Sequence, residues 1–404
     1  MLRKSLKVYS FSLNKNILNI GIQNFIDNNL DKDLASVLLK GTSFASVETK
    51  EIIEQIEAKK KCEHKLPSWF LTKNIYYPNK LNIEQTSSEI TASYKSKLIC
   101  GENIIDMTGG FGVDSYYFSK QFKKVIHCEI DTKLSEIVNY NYSQLNAINI
   151  ETKNIDGIEF LNTQKAQFDW IYADPSRRHD SKGKVFLLND CLPNIPENLK
   201  NLFKFSKNIM IKTSPLLDIS IGINELEFVK TVHVVAINNE VKELLWILEN
   251  GYTNEPEIKT VNLTKNLEHH FDFLLNEEKN SESTYSKPLT YLYEPNSAIL
   301  KSGAFHVISN KLKVLKLQKH SHLYTNQELI DFPGRLFKID SVLPYNPKNI
   351  KKLNIKKANI TTRNFPESVE HIRKKLGIKD GGDLYLFFTT DLELNKIVIV
   401  STKI

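Results

Sequence analysis

The sequence predicts an α/β protein built on a mostly parallel, doubly wound sheet. Three observations carry this. Short apolar runs alternate with helical patterns from Ile104 to Leu248, as expected of parallel strands joined by crossover helices. The first run leads straight into Gly109, Gly110 and Gly112. Later runs end in an acid, Glu129 in one case and Asp174 in another.

The elements follow in order. Ile17, Leu18, Ile22, Phe25 and Ile26 recur at helical spacing, as do Leu34, Val37 and Leu38, then Ile52, Ile53 and Ile56. Apolar residues three and four apart make one helix face, so the start of the chain reads as a helical domain over residues 1–80. Thr86 and Glu89 have capping-box spacing, which starts a helix running to about Ile99. Strands are expected at Asn103–Met107, Lys124–Glu129, Ile148–Lys153, Phe168–Ala173, Asn208–Lys212, Lys230–Asn238 and Lys242–Glu249. The last two are too close for a crossover, so they run antiparallel. Val113 to Phe122 reads as the helix behind the glycines. Residues 253–286 turn polar, with an exposed loop at 276–283, and close a central domain at 81–280. A small α+β module follows at 281–327. The last module, 328–404, reads as a strand at Lys351–Ile360, a helix at Pro366–Leu376 and a hairpin of Asp383–Thr390 with Lys396–Thr402.

The glycine stretch is the candidate ligand site. Gly109 and Gly110 allow a close backbone approach. A helix N-terminus beside them presents free N–H groups. Ligands of open α/β sheets bind outside the carboxyl ends of the strands. Glu129 lies 23 residues after Asp106, at the end of the next strand, where a carboxylate accepts the hydroxyls of a ribose. A dinucleotide fingerprint needs a third glycine, and Ser115 stands there instead. No basic residue lies between Ile104 and Ser119 to meet a pyrophosphate. Asp106 offers a carboxylate to a cationic group such as a methionine amine. The pattern favours S-adenosylmethionine over NAD.

The run from Asp106 through Gly109, Gly110 and Gly112 to Asp114 resembles motif I of class I methyltransferases, and Asp174-Pro-Ser-Arg-Arg178 resembles their motif IV. Glu84–Ala92, Asp190–Pro193, Lys212-Thr-Ser-Pro215, Glu240–Leu245, Phe332-Pro-Gly-Arg335 and Gly381–Tyr385 extend the likeness. Together they resemble bacterial class I methyltransferases with a C-terminal THUMP-like domain. The resemblance implies a Rossmann-like seven-stranded sheet, a ferredoxin-like module at 281–327 and a THUMP-like domain at 328–404. It implies S-adenosylmethionine held by Asp106, Thr108, Gly109, Gly110, Gly112, Asp114, Glu129 and Asp156. Asp156, before Gly157 and after the third strand, takes the place of an adenine contact in such enzymes.

Methyl transfer requires mainly that the nucleophile be positioned and water excluded. In amine-directed methyltransferases an Asp or Asn followed by two prolines and an aromatic does this. Here Asp174 and Pro175 keep the acceptor pair, Ser176 replaces the second proline, and Arg177 replaces the aromatic. Asp174, Pro175 and Ser176 are the candidate catalytic residues. Arg177 and Arg178 are candidate substrate contacts, stacking on a base or forking onto a phosphate. Carbon-directed methylation needs a cysteine nucleophile, and Thr213-Ser214-Pro215 stands where related enzymes carry it. A base nitrogen or exocyclic amine of RNA is the expected acceptor. The alternative is a catalytically silent RNA-binding protein that keeps the fold.

Composition agrees. The 404 residues exceed one core. No apolar run reaches ~20 residues, so no membrane span is expected. Cys62, Cys100, Cys128 and Cys191 lack zinc spacing, so no metal is expected, and they suit a reducing cytoplasm. The net charge of +7 is uneven. From Tyr285 to Ile404, 20 lysines and arginines face 10 aspartates and glutamates. Such a basic appendage points to a polyanion, tRNA or rRNA.

Overall fold

The computed structural model describes residues 13–164, 166–177 and 187–404. Arg178 lies outside the described residues. The chain forms two compact units: Met1–Phe228 with Trp246–Tyr252, and Val229–Leu245 with Thr253–Ile404.

The first unit opens with helices α1 (Ile20–Asp27), α2 (Leu34–Lys40), α3 (Thr49–Lys65), α4 (Pro67–Leu71), α5 (Lys80–Gln85) and α6 (Glu89–Lys97). The side chains of Asn19 and Asp33 cap α1 and α2. Ile17, Ile22, Ile26, Ile52 and Ile56 are buried as their spacing predicts, but Leu38 is exposed. The helix entry expected at Thr86 is displaced. Ser88 is the N-cap, accepting from the Thr91 N–H at 3.2 Å, while Thr86 ends α5. Glu89 takes no part in a capping box. Its carboxylate accepts from the Ser68 N–H and hydroxyl, at 2.6 and 2.8 Å, and from the Tyr117 hydroxyl at 2.9 Å.

The sheet elements follow: β1 (Gly101–Asp106), α7 (Val113–Phe118), β2 (Phe122–Cys128), α8 (Thr132–Gln144), β3 (Ile150–Lys153), α9 (Gly157–Thr163) and β4 (Phe168–Ala173). Helix α7 is shorter than expected because Phe122 already belongs to β2. A two-residue ladder, β5 (Ser176–Arg177) with β6 (Cys191–Leu192), precedes α10 (Ile195–Leu202), β7 (Ser206–Thr213) and α11 (Ile219–Glu225). The hairpin of β8 (Val229–Ile237) and β9 (Glu240–Glu249) turns on Asn238 and Asn239, both at positive φ, a conformation asparagine tolerates. Within the first unit the strand order is β9-β7-β4-β1-β2-β3. The ladders β3-β2-β1-β4-β7 are all parallel, so these strands end at one edge. Ile99, Ile104, Phe118, Val125, Tyr172 and Met210 form a core against the strands. The N-terminal helices share a second core with Phe111 and Val113 of the glycine stretch and with Leu134, Ile137 and Tyr142 of α8.

In the second unit the order β11-β10-β8-β9 adds β10 (Glu257–Leu263) and β11 (Glu268–Leu274) beyond the seven expected strands. Both fall in the segment read as a polar boundary, and α12 (Leu275–Asn280) replaces much of the loop expected at 276–283. Only β11 alternates, with Phe271 and Phe273 buried between exposed His270, Asp272 and Leu274, while β10 is buried from Thr260 to Leu263. A seven-stranded sheet follows, built from β12 (Tyr291–Pro295), β13 (Leu315–Lys316), β14 (Tyr324–Asn326), β15 (Gly334–Pro344), β16 (Asn359–Thr362), β17 (Leu384–Thr390) and β18 (Lys396–Lys403). Its helices are α13 (Ser297–Ser302), α14 (Val307–Leu312), α15 (Pro347–Lys352) and α16 (Val369–Leu376). The strand expected at Lys351–Ile360 is instead the end of α15, a turn and β16. Pro347 at the first helical position and Asn346 as cap set that helix. The longest strand of the unit, β15, is paired on both sides, by β12 and β18.

Candidate functional site

The parallel ladders bring the carboxyl ends of β1, β2, β3 and β4 together, and the loops there carry the candidate residues. The Gly109 N–H donates to the Cys128 carbonyl at 2.8 Å, and the Gly112 N–H to the Gly109 carbonyl at 2.9 Å. Gly109 lies flat on a buried ring: a Cβ there would stand 2.1 Å from Cε1 of His127. Gly110 adopts φ +55° and Gly112 φ +79°. The Gly110 N–H donates to Oε2 of Glu129 at 2.9 Å, and the Asp131 N–H to Oε1 at 2.8 Å. Burial raises the Glu129 carboxyl against the pull of these N–H groups. Each oxygen keeps acceptor capacity beyond its one backbone partner, so Glu129 presents a fixed pair of acceptors. Asp156 is exposed and caps α9, accepting from Ile158 and Glu159 N–H at 2.9 and 3.0 Å.

Two other acids lie inside. Asp106 is 1% exposed and accepts from the Ser115 hydroxyl at 2.6 Å and the Thr108 N–H at 3.1 Å. Burial pushes its carboxyl up to about 7, overriding those hydrogen bonds. His127 stands beside it, with Nδ1 at 3.2 Å from both Ser115 Oγ and the Tyr142 hydroxyl, and burial pushes the ring down to about 3. Asp114 accepts from Tyr172 and Ser87 hydroxyls at 2.7 and 2.8 Å and pairs with Lys95 at 3.1 Å. Burial opposes its ionisation, but Lys95 and Lys212 outweigh that and hold the carboxyl below its usual range. Asp106 ends β1 before the loop and Asp114 stands in the first turn of α7 after it, so the two acids anchor both ends of the loop.

Asp174 and Pro175 follow β4. The Asp174 N–H donates to Thr108 Oγ1 at 2.7 Å, which ties this acid to the glycine loop. Its carboxylate is not left to solvent: Oδ2 pairs with the Lys212 ammonium, which comes from the end of the neighbouring β7. The Lys212 side chain is 13% exposed and that of Asp174 31%. Pro175 is buried, Ser176 exposed and Arg177 half-buried. Lys212 appears in the sequence only within the Lys212-Thr-Ser-Pro215 likeness; its place as the last charged residue of a buried strand beside β4 is the signal for this pairing. No group of three metal-ligating side chains occurs among the described residues.

A family model described as THUMP domain-like matches residues 334–403, and one for a ferredoxin-like domain matches residues 291–333. A crystal structure from Porphyromonas gingivalis W83, described as a methyltransferase, is 30% identical, with 96% of this chain and 98% of that one covered at TM-score 0.87. The chain belongs to the methyltransferases with a C-terminal THUMP-like domain. S-adenosylmethionine is accordingly its cofactor. The intact glycine loop and the fixed Glu129 acceptors fit that group. A ribosomal RNA small subunit methyltransferase J from Francisella philomiragia is 27% identical over 146 residues, 33% of this chain. The chain spans about 60% of the length of that curated relative. A TrmK from M. capricolum bound to S-adenosylhomocysteine is more distant, at 18% identity and TM-score 0.32. No helix among the described residues is long and apolar enough to cross a membrane.

Proposed function

We propose that this protein methylates a base nitrogen or exocyclic amine of RNA. The observation that carries the reading is the tie between Thr108 and Asp174. It sets the backbone of Asp174 beside Thr108, at the edge where β1 and β4 both end, which supports a role for motif IV next to the cofactor loop. Glu129, with Gly109, Gly110, Gly112 and Asp156, forms the cofactor cradle, and Asp106 and Asp114 hold it in place. S-adenosylmethionine supplies an electrophilic methyl carbon there. Asp174 and the Pro175 carbonyl accept hydrogen bonds from the attacking amine and orient its lone pair. Lys212 holds Asp174 in position. Arg177 and Arg178 meet the RNA around the target base. The basic stretch from Tyr285 to Ile404 supports an RNA partner, and so does the name of the Francisella relative.

The test is a mass-spectrometric comparison of methylated nucleosides in total RNA with and without the gene, followed by methylation in vitro of the RNA that changes. Loss of one N-methylated nucleoside is the expected result. An unchanged nucleoside profile, with methylation of a protein or small molecule instead, refutes the RNA assignment.

A further inference from the structure

The motif Phe332-Pro-Gly-Arg335 takes no part in the methyl-transfer site. It lies in the second unit, where β12 meets β15. Phe332 is 1% exposed, with its ring centroid 5.1 Å from that of Tyr293 and 6.2 Å from that of Tyr324. A Cβ on Gly334 would stand 2.0 Å from the Glu294 carbonyl oxygen, so only glycine lets the two strands close here. Arg335 then pairs in register with Glu294.

This register builds a three-residue cluster. Arg335 Nε donates to Glu294 Oε2 at 2.6 Å, and its Nη2 meets the same oxygen. Arg363, just past β16, brings Nη2 to 2.7 Å from Glu294 Oε1. The carboxylate is 3% exposed, while each arginine side chain is 35% exposed. One carboxylate thus bridges two guanidinium groups and leaves one positive charge over. The surroundings do not cancel it. Lys316 is fully buried, with Nζ 5.5 Å from the Phe305 ring centroid and no hydrogen-bond partner among the described residues. His322 stacks on that same ring at 3.8 Å. Burial, with the charges of Lys316, His320, Arg363 and His306, pushes His322 down to about 4. The acid facing Lys316 is Glu278, whose oxygens accept from the His306 and Val307 N–H groups.

A guanidinium is a planar fork that matches phosphate oxygens two at a time. Glu294 fixes two such forks side by side, so little side-chain freedom is left to lose on binding. We propose that Arg335 and Arg363 form an anion site that clamps a phosphodiester of the RNA substrate, remote in sequence from the methyl-transfer residues. The proposal rests on the RNA reading above. The singly charged phosphodiester matches the single charge left over, and the stretch around the cluster is strongly basic.

The experiment uses the full-length protein, a fluorescent RNA hairpin and a series of salt concentrations, with a melting curve for each variant. Arg363→Gln is expected to weaken binding and to lower the slope of log affinity against log salt by about 0.7–0.9, the loss of one phosphate contact. Glu294→Gln removes the opposing charge and is expected to tighten binding several-fold. If the cluster only braces the fold, both variants melt earlier and both keep the wild-type slope and affinity. That result overturns the proposal. Should Arg363→Gln not fold, Arg363→Lys keeps the charge and loses the fork, and unchanged affinity in it overturns the clamp. A wild type that binds poly-glutamate and not the hairpin overturns the RNA assignment. In that case protection by inorganic pyrophosphate still decides the anion site. Higher melting in wild type but not in Arg363→Gln supports it, and an equal rise in both refutes it.

Discussion

Gly109 offers the sharpest test of how the cofactor loop is held. Its φ lies outside the left-handed region, so alanine meets no backbone strain there. The obstacle is the ring of His127: a Cβ would stand 2.1 Å from Cε1 and 2.4 Å from both ring nitrogens. Nothing lets the ring retreat. It is fully buried, stands edge-on to Tyr142 at 5.7 Å, and lies 3.2 Å from Ser115 Oγ. Overpacking a filled core costs about 1–3 kcal/mol. In a unit of this size that lowers the melting temperature by about 2–4 °C per kcal/mol. The loop must also lift, moving the Gly110 N–H off Glu129. Gly109→Ala should therefore lose cofactor affinity on the order of tenfold in calorimetry. The decisive comparison is the double variant with His127→Ala. With the ring gone, the added methyl has space, so the two changes must be strongly non-additive. Additive losses of stability would refute the steric account.

Three further outcomes are expected. Asp174→Ala should slow single-turnover methylation by a factor on the order of a hundred, equivalent to about 2–4 kcal/mol of a charged hydrogen bond, and leave cofactor affinity unchanged; near-full rate in that variant refutes the role of motif IV. Lys212→Met should slow the same step about tenfold by freeing the Asp174 carboxylate to swing, with cofactor affinity again intact; an unchanged rate refutes the positioning role of Lys212. Asp106 sets a pH dependence. Folding raises its carboxyl from 3.8 to about 7, so between these values the folded state keeps a proton that the unfolded chain has lost. Its contribution is full below about pH 4 and falls as the pH rises to about 7. Asp106→Asn lacks that loss, so its melting temperature relative to wild type should rise between about pH 4 and about pH 7 and level off above. A constant difference across that range refutes the raised carboxyl.

Legibility followed burial pattern. Strands β1, β2 and β4 are apolar runs bounded by glycine or acid; the range of β4 is readable to the residue and those of β1 and β2 to within two residues. The β8–β9 hairpin was readable from the short gap at Asn238-Asn239. Strands β10 and β11 were not, because Thr260 and Asn262 are buried polar residues that break the apolar signal. Strand β15 was missed for the opposite reason. It carries Arg335, Lys338, Asp340 and Ser341, and only Phe337 along its length is buried; its pairing with β12 and β18 fixes it as extended. Composition alone likewise assigned the lysines of 351–357 to a strand, although the Asn346-Pro347 start signal for α15 was present.

The site shows a different limit. Residue type marks where acids stand, but not which partners they take inside the protein. Asp106 is expected to face a cationic group of the cofactor, and Asp114 is a cofactor contact through the motif I resemblance. The structure puts their oxygens on Ser115, Thr108, Tyr172, Ser87 and Lys95. Thr108 and Ser115 lie within nine residues of Asp106, but Tyr172 of β4, Ser87 ahead of α6 and Lys95 within it are distant in sequence from Asp114, so no local window contains the whole arrangement. Glu129 differs only in that its partners are two backbone N–H groups, which leave half of its acceptor capacity unused. The same logic applies to Lys212, which lies 38 residues from Asp174 and meets it only because β4 and β7 are neighbours. A motif of acids and glycines therefore has two layers. In the function proposed above, the outer layer, Glu129 and Asp174, offers acceptors to the ligands. The inner layer fixes the backbone that aims them, and substitutions there should act first on stability and only through it on binding.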